Sequence, residues 1–381
     1  MLLLLRSCAL NTPTVATPEG LLLVTIDTWR SDHLGPEHSP NAWAVAQSGA
    51  NYTNAWSPIG LTTPAHATIM TGLLPSAHGV RGNNHHGYEL GAEQLTLAES
   101  LSNQGYTTAA FVSAWPAGPS GGLEQGFESF SGPESGERSS SIAVSEAESW
   151  IESQDGPWFA WVHLYEPHGP YSPSAEDDIF GEGDRARYAG EVHAADRLAG
   201  PLYELAATTN SALIITSDHG EVLDEELEHY GECNWQHSRS ATDGVLRVPL
   251  IVAGPEVTPA VYDDRVGLND IFSTAHELLA LTAPSVAGAG TLLPPNNRET
   301  WVGESGLCDE SCATGCEPAG VEGKDLAVFQ GGNVLIQRPG VGFLGEVGLA
   351  SELEGILTPT ALGVEAEVQP ELARELGYLE R

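Results

Sequence analysis

Short apolar runs recur along the first two thirds of the chain, separated by segments of more mixed polarity. Continuous apolar runs of this length are typical of strands that are buried on both faces of a parallel sheet. The predicted strands lie at 21–26, 107–113, 158–164, 212–216 and 248–253. The predicted helices lie between and after them, at 41–49, 64–72, 94–104, 141–153, 186–207 and 272–281. This alternation predicts an α/β fold with a largely parallel central sheet and helices on both faces.

The pattern loosens beyond about residue 285 into segments rich in glycine, proline and cysteine. Short strands within 326–337 and a final helix at 368–377 predict a small C-terminal α+β subdomain. We therefore expect a tether or signal remnant at 1–20, a main α/β domain at 21–285, and the subdomain at 286–381.

Charge narrows the range of partners. The net charge is −37, and Lys324 is the only lysine in the chain. A surface this acidic repels nucleic acid and anionic membranes, so neither is expected as a partner. No apolar stretch reaches the length of about 18 residues that a transmembrane helix requires, and none is predicted.

The five cysteines bear on location. Cys8 follows a short leucine run and is a candidate for lipidation, although an artificially shortened start of the sequence explains the run equally well. Lipidation of Cys8 would leave an even number for disulfides, which favours an extracytoplasmic protein. A thiolate metal clip is the alternative, but the spacing matches no zinc pattern well. The other cysteines are Cys233, Cys308, Cys312 and Cys316.

Candidate metal ligands follow two of the predicted strands. Asp27 comes directly after the strand at 21–26, and Asp218 and His219 follow the strand at 212–216. Functional groups in open α/β sheets gather just beyond the carboxyl ends of the strands. Carboxylate and imidazole ligands together suit a divalent metal ion, so the sequence predicts a metal site at this edge of the sheet.

A hydroxyl group at a helix start is the third element of this chemistry. Pro64 suits the first position of the helix at 64–72, which makes Thr63 the predicted N-cap with Thr62 just ahead. The exposed amides of a helix start attract anions, and a metal would let a hydroxyl there act as a nucleophile. Taken alone, this segment favours the interpretation of both threonines as simple helix caps.

Several segments together resemble the sulfatase-like branch of the alkaline phosphatase superfamily. They occur in the order that the family shows, and they extend from about residue 21 to 281, with a further match near the C-terminus. The matching segments are 24–35, 62–80, 163–171, 188–196, 216–221, 236–238, 246–250 and 375–378.

The resemblance implies roles for individual residues. Thr62 takes the place of the nucleophile and also contacts the metal, whose other implied ligands are Asp27, Asp218 and His219. His168 and His237 fall where the family holds a second metal or the anionic oxygens of the substrate, and we expect them to be catalytic. Two residues are expected to bind substrate: Asn83, which matches a position that contacts the transferred group, and His66, for which a packing role is the alternative.

Departures from true sulfatases indicate the type of ester. Those enzymes carry a Cys/Ser-x-Pro-x-Arg signature whose first residue becomes formylglycine, whereas Thr62 and His66 occupy the corresponding positions here. Threonine cannot form that aldehyde, and Lys324 cannot supply the family's sulfate-binding lysines. The pairs Asp27-Thr28 and Asp218-His219 favour zinc or manganese, with calcium still open, in one or two sites.

We therefore expect a metal-dependent hydrolase or transferase acting on phosphate mono- or diesters. The first alternative is a sulfuric ester hydrolase without formylglycine, and the second is an inactive sulfatase-like binding module. The expected substrate is an ester of a small molecule, a glycan or a lipid headgroup. His163 ends a strand and has either a structural or a functional role, and His229 is left open in the same way. Structural roles are expected for His85, His86, His193 and His276.

Overall fold

The computed structural model describes residues 18–84, 87–223, 237, 241–295, 298–305, 326–330, 333–338 and 342–345. Several predictions fall outside these ranges, among them the final helix, the tether and the lipidation of Cys8. The same holds for the disulfides, for three of the histidines discussed above (His85, His86 and His229) and for Lys324.

The strands of the described residues form three sheets, of which the largest has eight strands in the spatial order β10-β2-β9-β7-β1-β6-β4-β5. The strand bounds are β1 Gly20–Ile26, β2 Ala50–Tyr52, β3 Ala55–Trp56, β4 Thr107–Val112, β5 Ser129–Ser131, β6 Trp158–Leu164, β7 Ala212–Thr216, β8 Arg247–Val248, β9 Leu250–Ala253, β10 Ala260–Tyr262, β11 Val266–Gly267, β12 Thr300–Glu304, β13 Leu326–Gln330, β14 Asn333–Arg338 and β15 Gly342–Gly345.

Strand β1 lies in the middle of the large sheet and pairs in parallel with both β6 and β7. Strands β4 and β6 continue the parallel arrangement, whereas β9 runs antiparallel to β7 and to β2. This confirms the predicted largely parallel sheet. The single strand predicted at 248–253 is wrong in one detail. Pro249 separates β8 from β9, which lie in different sheets, because proline has no N–H for a sheet ladder.

Helices cover both faces of this sheet, as the alternation predicts. Alternate residues of β1 point to opposite faces, so Leu21 and Leu23 pack in one core and Leu22 and Val24 in the other. Helices α2, α4 and α8 contribute to the first core, and α1, α5 and α6 to the second. The helix bounds are α1 Pro40–Ser48, α2 Thr62–Thr71, α3 Pro75–His78, α4 Leu97–Ser102, α5 Ser140–Glu152, α6 Asp184–Thr208, α7 Asp243–Leu246 and α8 Ile271–Leu278.

Two smaller sheets complete the described fold. Strands β11, β3 and β8 form one, and β12 to β15 form an antiparallel sheet that includes the short strands predicted within 326–337. The Trp301 indole on β12 donates a hydrogen bond to the carbonyl of Ser57 at 3.1 Å. Within the described ranges, no helix combines the length and hydrophobicity needed to cross a membrane.

Candidate active site

The carboxyl ends of β1 and β7 and the start of α2 meet at one edge of the large sheet. Thr62 is the first residue of α2, and its hydroxyl donates a hydrogen bond to Oδ2 of Asp27 at 3.3 Å. Asp27 follows β1, and its backbone N–H bonds the carbonyl of Leu164 at the end of β6 at 2.9 Å. The sheet thus brings together groups that the sequence holds 35 or more residues apart.

Asp27, Asp218 and His219 form the one candidate metal cluster that the described part of the chain contains. One ligand atom from each lies within 4.8 Å of the others. His219 Nε2 is 3.4 Å from Oδ2 of Asp218 and 3.9 Å from Oδ1 of Asp27. All three side chains are fully buried.

The cluster fits a divalent cation because its ligand atoms lack other partners. Oδ1 of Asp27, Oδ2 of Asp218 and Nε2 of His219 make no hydrogen bond to any residue that the structure describes. Buried polar atoms are normally hydrogen-bonded, so several orphaned acceptors at one point need a common explanation. A divalent cation would satisfy all three atoms and balance the two carboxylates.

The tautomer of His219 also suits coordination. Its Nδ1 lies 2.9 Å from the carbonyl of Gly220, so Nδ1 carries the proton and Nε2 of the neutral ring offers a lone pair. The turn requires glycine at 220, because a Cβ there would lie 2.0 Å from the carbonyl oxygen of Gly244.

The neighbouring carboxylates of Asp27 and Asp218 oppose each other's ionisation. Burial and the adjacent Asp27 carboxylate raise the pKa of Asp218 to about 6. Two acids this close cannot both ionise easily without a positive charge between them.

Backbone strain is present directly beside the cluster. Thr28 has φ 55°, a left-handed conformation that a β-branched residue rarely adopts. Its N–H bonds Oδ1 of Asp218 at 3.3 Å, and its carbonyl accepts from the Tyr188 hydroxyl at 2.7 Å. These bonds hold the turn that aims Asp27, and strained residues of this kind concentrate at functional sites.

The start of α2 differs from the prediction. The helix begins at Thr62 with Leu61 as N-cap, so the assignment of Thr63 as the cap and Pro64 as the first helical residue is wrong. The Thr63 hydroxyl instead bonds the carbonyl of Pro116 at 2.7 Å. Oδ1 of Asn83 accepts the Thr63 N–H at 3.0 Å, which places Asn83 at the helix start beside the predicted nucleophile.

His66 lies on the first turn of α2 and is fully buried. Its Nδ1 is 2.8 Å from the carbonyl of Thr62, and its Nε2 is 3.0 Å from the hydroxyl of Thr25. Burial lowers its pKa to about 3, so the ring is neutral. Both nitrogens are bonded within the protein in this structure, and a substrate contact by His66 stays a prediction.

His168 and His237 lie next to the cluster. The ring of His237 stacks on His219 with 4.7 Å between centroids and meets His168 edge-on at 5.1 Å. Burial alone would lower the pKa of His237, but the Glu221 carboxylate, 3.1 Å from Nδ1, outweighs it and raises that pKa. Burial lowers the pKa of His168, whose Nδ1 is 2.8 Å from the carbonyl of Gly169. The Glu221 carboxylate therefore favours the protonated form of His237, and burial favours the neutral form of His168.

Sequence reasoning assigned no role to several residues of this site. Glu221 was visible in the motif at 216–221, yet its pairing with His237 depends on the fold. Thr25 lies two residues before Asp27 and therefore on the same face of β1, a signal that the period of a strand contains. The fold also separates other histidines from the site: His276 on α8 bonds the hydroxyl of Ser100 at 2.8 Å.

Comparisons with known proteins agree with this geometry. Residues 20–281 match the profile of the protein family described as Sulfatase. An ulvan-active sulfatase of Formosa agariphila is 24% identical, over 67% of this chain and 62% of its own length. Human arylsulfatase A is 22% identical, over 74% of this chain and 68% of its own length. The chain thus spans less than two thirds of the first of these relatives.

A solved structure shows the same fold. The phosphonate monoester hydrolase of Agrobacterium radiobacter superposes with a TM-score of 0.68 at 20% identity, covering 95% of this chain and 94% of that one. At this identity the likeness establishes the arrangement of strands and helices and leaves the reaction to be argued from the site.

Proposed function

Because the chain belongs to the sulfatase family, we propose that it is a metal-dependent ester hydrolase that cleaves phosphate mono- or diesters with Thr62 as the nucleophile. One observation carries the proposal. The Thr62 hydroxyl, at the start of a helix, bonds a carboxylate of a buried cluster whose remaining ligand atoms lack partners. This arrangement provides a nucleophile, a cation site and an anion site at one point.

The proposed cation is held by Asp27, Asp218 and His219, with Thr62 beside it. When bound, a divalent cation lowers the pKa of a neighbouring hydroxyl and offsets the negative charge of the ester. Two carboxylates and one imidazole make zinc or manganese the preferred ions, with calcium less suited. A second ion near His168 and His237 stays part of the proposal.

The residues of the site have separate roles in the proposed reaction. Thr62 Oγ1, ionised by release of its proton to solvent, attacks phosphorus while the bond from phosphorus to the leaving oxygen breaks. His237, whose protonated form the Glu221 carboxylate favours, gives a proton to that leaving oxygen. Water then attacks phosphorus of the phosphorylated Thr62 and gives one proton to the neutral His237, while the bond from phosphorus to Oγ1 breaks and Thr62 returns with an ionised oxygen.

The start of α2 supports the anion. Its backbone amides and the helix dipole favour negative oxygens at this end. Asn83 is anchored through Oδ1 by the Thr63 N–H, so its amide group is oriented to donate to the transferred phosphoryl group.

Two features favour phosphoryl over sulfuryl transfer. Thr62 cannot be converted to formylglycine, and no lysine lies in the described ranges, because Lys324 is the only one in the chain. The alternative is hydrolysis of sulfuric esters by Thr62 itself, which the similarity to the ulvan-active sulfatase and to human arylsulfatase A favours. For either reaction, the proposed substrate is an ester of a small molecule, a glycan or a lipid headgroup. An extracytoplasmic location stays a prediction.

Matched substrates test this proposal. The purified chain, loaded with zinc or manganese, is assayed on p-nitrophenyl phosphate, bis-p-nitrophenyl phosphate and p-nitrophenyl sulfate. We expect phosphoester cleavage that exceeds sulfate cleavage and that is lost in Thr62→Ala. Sulfate cleavage without phosphoester cleavage would establish the alternative instead.

A control variant keeps the loss in Thr62→Ala interpretable. Thr71 is a buried threonine at the other end of α2, and its hydroxyl bonds the carbonyl of Ala67 at 2.6 Å. Thr71→Ala therefore removes a buried hydroxyl from the same helix without touching the site. We expect it to retain turnover, and equal losses in both variants would contradict a nucleophilic role for Thr62.

A further inference from the structure

His163 is a buried imidazole for which the proposed reaction has no use. It is the penultimate residue of β6, pairs with Thr25 of β1 in the sheet register, and is fully buried. Its Nε2 lies 3.5 Å from Oδ2 of Asp27 and makes no hydrogen bond within the described chain. A fully buried nitrogen without a partner at the edge of a metal cluster requires an explanation.

The hydrogen bonds of the Thr25 hydroxyl determine which ring nitrogen of His163 carries the proton. Three groups contact that hydroxyl: Trp161 Nε1 at 3.0 Å, His66 Nε2 at 3.0 Å and His163 Nδ1 at 3.3 Å. A hydroxyl has one proton to donate and two lone pairs to accept with. The three contacts therefore use its full capacity, and each proton in the network has one consistent position.

The positions of the protons follow from the groups in this network that can only donate or only accept a hydrogen bond. The indole N–H of Trp161 only donates, so it uses one lone pair of Thr25. His66 Nδ1 faces the carbonyl of Thr62, which only accepts, so Nδ1 carries the proton and Nε2 of the neutral ring is an acceptor. The single hydroxyl proton of Thr25 goes to that nitrogen.

No hydroxyl proton remains for His163. Its Nδ1 must therefore donate to the second lone pair of Thr25, and Nε2 of the neutral ring is left with a lone pair beside the Asp27 carboxylate. Two electron-rich atoms 3.5 Å apart repel each other unless a positive charge lies between them. The contact is also longer than the usual N–H···O range of about 2.7–3.2 Å, so it is not an ordinary hydrogen bond from a protonated ring.

We propose that Nε2 of His163 is a further ligand for a divalent cation, on the Oδ2 side of Asp27, and that Thr25 is the positioning residue that fixes its tautomer. The proposal rests on the cation site proposed above. His219 shows the same arrangement, with Nδ1 held by a carbonyl and Nε2 directed at Oδ1 of Asp27. Two imidazoles that flank one carboxylate strengthen the preference for zinc over calcium.

Nitrogen NMR of the full chain tests the proposal directly. The protein is labelled with nitrogen isotope at its histidines and loaded with a spin-active cadmium isotope, which couples through bonds to ligating nitrogens. We expect Nε2 of both His163 and His219 to couple to cadmium. Coupling at His219 without coupling at His163, or a proton on Nε2 of His163 in the loaded protein, would overturn the proposal.

His276 is an internal control in the same spectrum. It is fully buried, its Nδ1 is 2.8 Å from the carbonyl of Phe272, and its Nε2 is 2.8 Å from the hydroxyl of Ser100. Its Nδ1 therefore carries the proton, as in His163, but its Nε2 is already bonded to a hydroxyl. We expect no coupling between this nitrogen and cadmium. The readout does not depend on turnover, so a protein that cleaves no phosphoester can still show it, and an active enzyme can fail it.

Variants test the positioning role of Thr25. Thr25→Val removes the hydroxyl, and we expect cadmium affinity to fall about 10–100-fold, the usual effect of losing a group that orients a ligand. Thr25→Ser restores the hydroxyl and should restore affinity. Ser100→Ala is the matched control, because it removes the hydroxyl partner of a buried histidine outside the site. Equal affinities in Thr25→Val and Ser100→Ala would contradict the role, and the spectrum of the unaltered chain decides the proposal if Thr25→Val does not fold.

Discussion

Two groups of buried acids in this fold differ in how their charge is balanced. Asp270, at the start of α8, is fully buried and accepts N–H groups from Gly267 at 2.9 Å and Gly290 at 2.6 Å. Both of its oxygens also receive a guanidinium N–H from Arg298. Asp27 and Asp218 are equally buried, yet each has an oxygen without a partner among the described residues.

The comparison shows that burial alone does not identify a functional acid. A buried carboxylate that is fully paired acts as a structural anchor, and removing its charge leaves its partner uncompensated. A buried carboxylate with unpaired oxygens costs stability until something positive binds. Asp270 therefore belongs to the scaffold, and Asp27 and Asp218 belong to a site that is completed by a ligand.

Loss of a charge at the cation site should distinguish the unpaired acids from Asp270 by its effect on turnover. Asp218→Asn keeps the shape of the side chain but removes one of the charges that hold the cation. We expect phosphoester turnover to fall by about 10³-fold, because a catalytic cation contributes several kcal/mol to the transition state. Turnover near the level of the unaltered chain, measured at saturating zinc, would remove Asp218 from the cation site.

The paired and unpaired acids should also differ in what their loss does to the free energy of unfolding. Asp270→Asn leaves the Arg298 guanidinium partly buried without its counter-charge, so we expect a loss of about 3 kcal/mol in the free energy of unfolding. Urea denaturation with a chelator present measures it. Asp218→Asn should show no such loss under these conditions, because it relieves repulsion with Asp27. Similar losses in both variants would contradict the distinction between paired and unpaired acids.

Cation binding should then stabilise only the proteins that retain the unpaired acids. A ligand present at about 100 times its Kd adds about 2.7 kcal/mol to the free energy of unfolding. We expect this gain on addition of zinc or manganese to the unaltered chain and to Asp270→Asn, and its absence in Asp218→Asn. Thermal denaturation with and without the ion, at fixed protein concentration, measures the difference.

A smaller effect is expected on the pH dependence of kcat when Glu221 is changed. The carboxylate of Glu221 raises the pKa of His237, so the protonated acid persists to higher pH. Glu221→Gln removes that charge and should lower the pKa of His237, which moves the alkaline, falling limb of kcat to lower pH. Turnover at lower pH should change little. An unmoved alkaline limb would show that another group is the general acid.

The sequence predicts the fold well where a single apolar run is enough to specify a strand. The strands at 158–164 and 212–216 have the predicted bounds, because each is a continuous apolar run. The sequence does not predict the start of α2 correctly, because Asn83, a residue distant in sequence, supplies the oxygen that accepts the Thr63 N–H. A cap of this tertiary kind has no local sequence signal.

The candidate site follows the same rule. Asp27, Asp218 and His219 could be placed at one sheet edge because each follows a recognisable strand. The contacts of Thr25 could not, since they depend on the register between β1 and β6 and on the packing of α2 above them. Side-chain proton positions are determined by the assembled network and by no single segment.

The proposed nucleophile can be tested most directly by trapping it. The zinc-loaded chain is mixed with bis-p-nitrophenyl phosphate, quenched in acid during turnover, and digested for mass spectrometry. We expect a phosphoryl group on Thr62, found in the peptide that contains this residue, and we expect it still to carry its nitrophenyl ester where the second ester bond is intact. Turnover without a modified Thr62, or modification of another residue, would contradict it.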